Sequence, residues 1–213
     1  MLEKMDQFFE ARLVGYDEHM LNEIDGAREF YPFTAACLPQ GQILDLGCGT
    51  GLELEYLFAR HADAAVTGID LSAGMLDALR EKFPDKNLTL IQGSYFDVPL
   101  GEHCFDAAVS VESLHHFTQE KKTGLYRKLH AALKDGGCFV LTDYFAADDA
   151  EEEFYFSELH RLKAQQGIAD DAFYHYDTPL TVAHETEALL SAGFARVEDK
   201  KSWGATHTLI AYK

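Results

Sequence analysis

Apolar residues recur along this chain in two rhythms that take turns. Short apolar runs at 43–46, 65–69, 88–92, 105–111 and 138–142 have the length of buried strands. Between them the spacing turns helical. Leu52, Leu54, Leu57 and Phe58 follow the first run, Ser72 offers an N-cap after the second, and Leu125, Leu129 and Leu133 stand at i, i+4 and i+8 after the fourth. Strands alternating with helices predict an α/β fold, doubly wound around a parallel sheet. A helix is predicted over 182–191, capped by Thr181 and stopped by Gly193, and two more strands over 194–200 and 206–212. Ahead of the first strand, residues 2–38 read as helical. Phe8, Phe9 and Leu13 share one face, and a second amphipathic stretch from Glu18 to Leu38 is expected to break near Pro32. Residues 145–180 depart from the alternation. They hold an acidic run from Asp148 to Glu153, a predicted helix over 150–166, and six aromatics between Phe154 and Tyr176. One domain over 1–213 is expected, with 1–40 as a helical cap and 145–180 as a lid insertion.

The first apolar run ends in Asp45-Leu46-Gly47-Cys48-Gly49-Thr50-Gly51. A strand, a glycine turn and a helix in this order make a nucleotide-binding crevice at the carboxyl end of a parallel strand. Glycine suits the turn because the backbone bends sharply and a ligand approaches without meeting a Cβ. The dinucleotide fingerprint G-x-G-x-x-G wants its third glycine where Leu52 stands, and no Lys-Ser or Lys-Thr pair follows to make a P-loop. Asp70 comes 19 positions after Gly51, near where doubly wound folds hold a ribose. A carboxylate there can accept a hydrogen bond from each ribose hydroxyl.

The run from Asp45 to Gly51 resembles the first motif of class I S-adenosylmethionine (SAM)-dependent methyltransferases. Gly68-Ile69-Asp70-Leu71-Ser72 with Met75 resembles their second motif. Phe105 to Ser110 resembles their fourth-motif strand, and Gly136-Gly137 matches the glycine pair before their fifth strand. The likeness is strong over 41–144, extends over 180–213 by order of elements, and is slight over 1–40. It implies a Rossmann-like sheet of seven strands, mostly parallel, closed by an antiparallel C-terminal strand. It implies methyl transfer from SAM to a small-molecule acceptor, leaving S-adenosylhomocysteine (SAH). It places Asp45, Gly47, Cys48 and Gly49 at the cofactor, with Asp70, Leu71 and Met75 at the ribose and adenine. Ser94 and Tyr95 follow the third strand, and Ser110 and Val111 end the fourth. Tyr16 resembles a cap tyrosine that reaches the cofactor's amino-acid end. Ser94 is a departure, since the family often has aspartate there. His115 and His116, at the exit of the fourth strand, are the candidate catalytic pair, histidine being the side chain that titrates near neutrality.

Composition narrows the partners. With 18 basic against 36 acidic residues the formal net charge is −18, a field that repels polyanions, so nucleic acid is not expected as substrate. No apolar run approaches membrane-spanning length. Cys37, Cys48, Cys104 and Cys138 show no C-x-x-C pairing and read as free thiols of a cytoplasmic protein. No cluster with metal-ligand spacing accompanies the histidines, so no metal is expected. Two alternatives stay open from the residues: a noncatalytic SAM-binding module, and an NAD(P)-dependent oxidoreductase, against which Leu52 and the last two strands speak.

Overall fold

The computed structural model describes residues 1–213. Seven strands form where the apolar runs lie: β1 (Gln42–Leu46), β2 (Ala65–Asp70), β3 (Asn87–Gln92), β4 (Phe105–Val111), β5 (Leu133–Tyr144), β6 (Arg196–Trp203) and β7 (Thr206–Tyr212). Their order across the sheet is β3-β2-β1-β4-β5-β7-β6. Only β7 runs antiparallel to its neighbours, as the expected closing strand. The chain winds outward from β1 through β2 to β3, then returns to β4 and winds the other way. The carboxyl ends of β1 and β4 therefore flank the switch point where open α/β sheets bind ligands.

Both faces of the sheet are covered, which is why the central strands are apolar throughout rather than alternating. Ile43, Val66, Ala107, Val109 and Val140 point to one side, against Phe30 and Tyr31 of α3 (Ala27–Cys37) and Leu54 and Leu57 of α4 (Leu52–Arg60). Leu44, Leu46, Ala108, Phe139 and Leu141 point to the other. There they meet Leu125, Tyr126 and Leu129 of α6 (Gln119–Ala132) and Ala188 and Leu189 of α8 (Val182–Ser191). One polar knot crosses this second layer. Lys122 Nζ of α6 lies 2.5 Å from Glu185 Oε2 of α8, and the Tyr126 hydroxyl donates to the same carboxylate. Lys122 is 2% exposed and Glu185 0%.

The helix starts follow their capping residues. Ser72 accepts from the Met75 amide ahead of α5 (Ala73–Lys82), Thr118 from Lys121, and Thr181 from His184. Two expected boundaries fall elsewhere. The N-terminal region forms three helices, α1 (Met5–Ala11), α2 (Tyr16–Glu23) and α3, and Pro32 lies inside α3. The break comes at Gly26, which enters α3 at φ +79°, a conformation glycine adopts without strain. Likewise α6 ends at Ala132 rather than at the glycine pair. Leu133 opens β5, opposite Phe105, and Gly136 and Gly137 lie within that strand's irregular first half.

Residues 145–180 contain α7 (Asp149–Gln166) and a following loop, closed at its base by a bridge between Ala146 and Thr181. This segment is bound to the chain's first residues. The His175 amide donates to the Glu3 carbonyl at 2.9 Å, the Leu2 amide to Gln166 Oε1 at 2.9 Å, and Lys4 bridges Tyr174. The Phe8 ring stacks on His175 at 3.4 Å.

Candidate functional site

The glycine turn after β1 is set by close neighbours. Gly47 sits at φ +71°, and a Cβ there would lie 2.1 Å from Ser113 Oγ. Gly51 sits at φ +72°, where a Cβ would lie 2.6 Å from a methyl of Leu79. The turn is fastened to the end of β2 by Asp70, whose Oδ2 accepts from the Gly49 amide at 2.9 Å and Oδ1 from the Ser72 amide at 2.9 Å. Burial raises the Asp70 pKa against the pull of these backbone donors.

A narrow cavity of about 60 Å³ opens beside this carboxylate. The glycine turn contributes Gly47 and Gly49, the end of β2 contributes Asp70, Leu71 and Met75, and Tyr95 and Val111 come from beyond β3 and from β4. Met5, Asp6, Phe9 and Tyr16 of the cap close it over. Pockets for ligands of this size run to roughly 300–1,000 Å³, so the cap must yield for a nucleoside to enter. It is held down at two points: the Ser72 hydroxyl donates to Glu10 Oε2 at 2.7 Å, and Asp17 takes both the Thr50 hydroxyl and Lys82 Nζ, the latter at 2.6 Å.

Four residues that the motifs place at the cofactor stand outside this cavity. Cys48 is buried with its sulfur against Gly68. Ser94 Oγ caps its own turn by accepting from the Phe96 amide at 3.2 Å. Ser110 Oγ donates to the Leu46 carbonyl at 2.9 Å, stitching β4 to β1. Asp45 alternates with Leu44 and Leu46 and so lies beneath the turn, 1% exposed, beside Glu53 of α4 at 4%.

Asp45 Oδ2 and Glu53 Oε1 have no hydrogen-bond partner as ionised groups. Burial pushes both carboxyls up, Asp45 well above its ordinary range with the charge of Glu53 adding to the effect. One proton shared by the pair resolves the conflict. Because both folded pKa values are raised, the pair's stabilisation is fully present below the unfolded carboxyl range and is lost as pH climbs through the folded values. Glu53→Gln supplies an amide donor that needs no proton uptake. The variant's stability relative to wild type is expected to improve from pH 5 to pH 8, read by urea melts at each pH. Parallel stability curves for the two proteins would refute the shared proton.

The end of β4 turns the chain into a second, larger cavity of about 810 Å³. Glu112 makes that turn at φ +48°, rare for a non-glycine residue and characteristic of functional turns. Its amide donates to the Thr142 carbonyl at 2.8 Å and its carboxylate accepts from Thr206 Oγ1 at 3.2 Å. Burial, with the Asp143 charge, pushes the Glu112 pKa up to about 8. Phe9, Tyr16, Glu112 and His116 line both cavities, so one wall serves two spaces.

The two histidines behind that wall are in different states. Burial opposes charge on His115, but it is outweighed by Asp143 Oδ1 at 2.5 Å from Nδ1 and Asp177 Oδ1 at 3.5 Å from Nε2; the pKa rises to about 10. His116 is driven well below its ordinary value by burial and by the charge on His115. Its Nδ1 donates to the Tyr176 carbonyl at 3.2 Å. At neutral pH His115 already holds its proton and His116 resists taking one. Glu112, Asp143 and Asp177 were not picked out by sequence reasoning. Only the positive φ and the fold bring them here, and Asp177 arrives from the insertion, so the spacing along the chain gave no sign of the His115, His116 and Asp177 cluster.

Comparison with known proteins agrees with this geometry. Residues 43–137, from β1 into β5, match a methyltransferase domain family. The chain is 28% identical over 189 residues to a carboxy-S-adenosyl-L-methionine synthase of Campylobacter curvus, covering 84% of this chain and 80% of that protein. It is 27% identical over 192 residues to cycloartenol-C-24-methyltransferase of Arabidopsis thaliana, covering 86% of this chain and 53% of that one. Its fold matches the DhpI–SAM–HEP complex with a TM-score of 0.71 at 20% identity, over 97% of this chain and 94% of the other. Glycine turn, switch-point crevice, strand order and relatives converge: the chain is a class I SAM-dependent methyltransferase.

Proposed function

We propose that this enzyme transfers the methyl group of SAM to a small, neutral or cationic acceptor held in the 810 Å³ cavity. The observation that carries the reading is the shared wall: Phe9, Tyr16, Glu112 and His116 border both the narrow cavity at Asp70 and the large one. A sulfonium bound through Gly47, Gly49 and Asp70 would present its methyl across that wall. SAM carries an activated methyl, so the protein's work is alignment of nucleophile, carbon and sulfur, and exclusion of water. In this reading Tyr95, Leu71, Met75 and Val111 enclose the adenosyl part, and Tyr16 closes over the amino-acid end. His115 and His116 position the acceptor. Neither is a ready base, since a base works best with a pKa near the operating pH.

The charge of the large cavity selects among acceptors. Glu23, Asp25 and Asp177 line it, and its only arginine, Arg12, is held by Glu3 at 3.1 Å. The Campylobacter relative is named for making a carboxylated form of the cofactor. Carboxylates around the junction oppose placing another negative charge there, which favours plain methyl transfer in this chain. The same field argues against nucleic-acid substrates. No helix is long and apolar enough to cross a membrane, and four free thiols suit a reducing cytoplasm. The insertion at 145–180 and the cap at 1–40 act as one cover over the acceptor.

An acceptor screen read by SAH release tests the proposal. Turnover is expected among small amines, phenols and alcohols, and none with anionic acceptors. Tight SAM binding with no SAH release from any acceptor would instead mark a noncatalytic SAM-binding module.

A further inference from the structure

Three side chains that line the large cavity converge there. His115 Nε2 lies 3.5 Å from Asp177 Oδ1, His116 Nδ1 lies 3.4 Å from the same oxygen, and all three ligand atoms fall within 4.8 Å of one another. For tetrahedral zinc with bonds of ~2.0–2.1 Å, neighbouring donors stand roughly 3.3–3.4 Å apart. The separations to Asp177 Oδ1 are therefore close to those of donors around one ion. Two imidazoles and a carboxylate are also the donor set that leaves positions open for a substrate.

The surroundings match a ligand site in a second respect. Metal-bound histidines generally donate their other ring nitrogen to a carboxylate that fixes tautomer and ring plane. Here His115 Nδ1 donates to Asp143 Oδ1 at 2.5 Å. Asp143 is itself immobilised, with Oδ2 accepting from the Leu114 amide at 2.8 Å and Oδ1 from the Tyr144 amide at 2.9 Å. It is thus committed to orienting His115, whose Nε2 is left to face Asp177. His115, His116 and Asp177 all border the large cavity, so the open side of the cluster faces the acceptor space.

We propose that His115 Nε2, His116 Nδ1 and Asp177 Oδ1 bind a divalent transition-metal ion, zinc above all, whose open position takes the acceptor's nucleophilic oxygen or nitrogen. The donor set carries one negative charge, with Asp143 close behind, as a dication requires. On binding, the proton on His115 Nε2 leaves to solvent. His116 moves its proton from Nδ1, where it meets the Tyr176 carbonyl, to Nε2. The ion then performs what neither histidine is set up to do: it draws an acceptor O–H or N–H to itself, the proton departs to water, and the lone pair stays directed at the methyl. The ion's role toward the acceptor rests on the methyl-transfer reading; its binding does not.

The test uses the tag-free full chain, stripped with chelator and titrated with Co²⁺ as a spectroscopic probe and with Zn²⁺ by calorimetry. One equivalent of each is expected, with the intense visible absorption of tetrahedral cobalt. Asp177→Asn and His116→Ala should abolish the stoichiometric site. Asp143→Asn should weaken it by about 10–100-fold. His103→Ala, an exposed histidine elsewhere, should leave it intact. SAM affinity in Asp177→Asn reports that the crevice is folded. The proposal fails if the wild-type chain takes up no stoichiometric metal, or if uptake survives both Asp177→Asn and His116→Ala. Either failure leaves SAM binding and SAH release to be judged separately.

Discussion

Replacing Asp70 with alanine is expected to weaken SAM binding by roughly 2–4 kcal/mol, about 30- to 700-fold. Two losses add. The bound ribose loses the carboxylate that takes its hydroxyls, through charge-assisted bonds that are stronger than neutral ones. The crevice also loses its clasp, because each Asp70 oxygen already accepts a backbone amide, from Gly49 and from Ser72. Asparagine does not rescue this. It offers one acceptor oxygen, and its amide group would face a second N–H donor at the other position. Asp70→Asn is therefore expected to approach the alanine variant, whereas a carboxylate serving the ribose alone would tolerate asparagine well. Calorimetric titration of both variants with SAM, alongside circular dichroism to confirm folding, reads the effect. Unchanged affinity in a folded Asp70→Ala chain would remove Asp70 from the cofactor site.

The largest expected effect on stability lies far from the crevice. Glu185→Ala leaves Lys122 charged, buried and without its partner between α6 and α8, and strips Tyr126 of its acceptor. Breaking one side of a buried ion pair costs about 3–5 kcal/mol. In a chain of this size each kcal/mol moves the midpoint by roughly 2–4 °C, so a drop of about 6–20 °C is expected in a thermal melt. The paired replacement Lys122→Met with Glu185→Leu should recover the part due to the stranded charge, since apolar residues of similar volume remove both ions together, while Tyr126 still lacks its acceptor. A Glu185→Ala melt within a degree of wild type would mean that water reaches Lys122 and that the knot is not dry.

The sheet was legible because both of its faces are covered. Continuous apolar runs mark central strands however the ends are trimmed, and 105–111 and 206–212 coincide with β4 and β7. Capping serine and threonine residues set their helix starts as read. Errors came where one residue type has two uses. Proline reads as a helix breaker, yet α3 holds Pro32, and Gly26 makes the break. The narrow cavity was readable because Gly47, Gly49 and Asp70 are placed at its wall by backbone and spacing. The side chains of Ser94, Ser110 and Cys48 face away from that cavity, by turn capping and strand alternation, which motif position does not reveal. The large cavity was hardly readable, because Glu112, His115, His116, Asp143 and Asp177 meet only after β4, β5 and the insertion fold together.

The seam between residues 2–4 and residues 166–175 has a consequence for synthesis. Leu2, Glu3 and Lys4, just ahead of α1, find their partners Gln166, His175 and Tyr174 more than 160 residues further along. Chains emerge at about 5–20 residues per second, so this seam waits some ten seconds or more for its second side. During that interval the glycine turn, β1 and Asp70 are already made, and the cap is held across them only by its ties to Thr50, Ser72 and Lys82. A nascent chain thus passes through a stage in which the cover over the crevice is fastened on one side alone, and its seam with the insertion closes last.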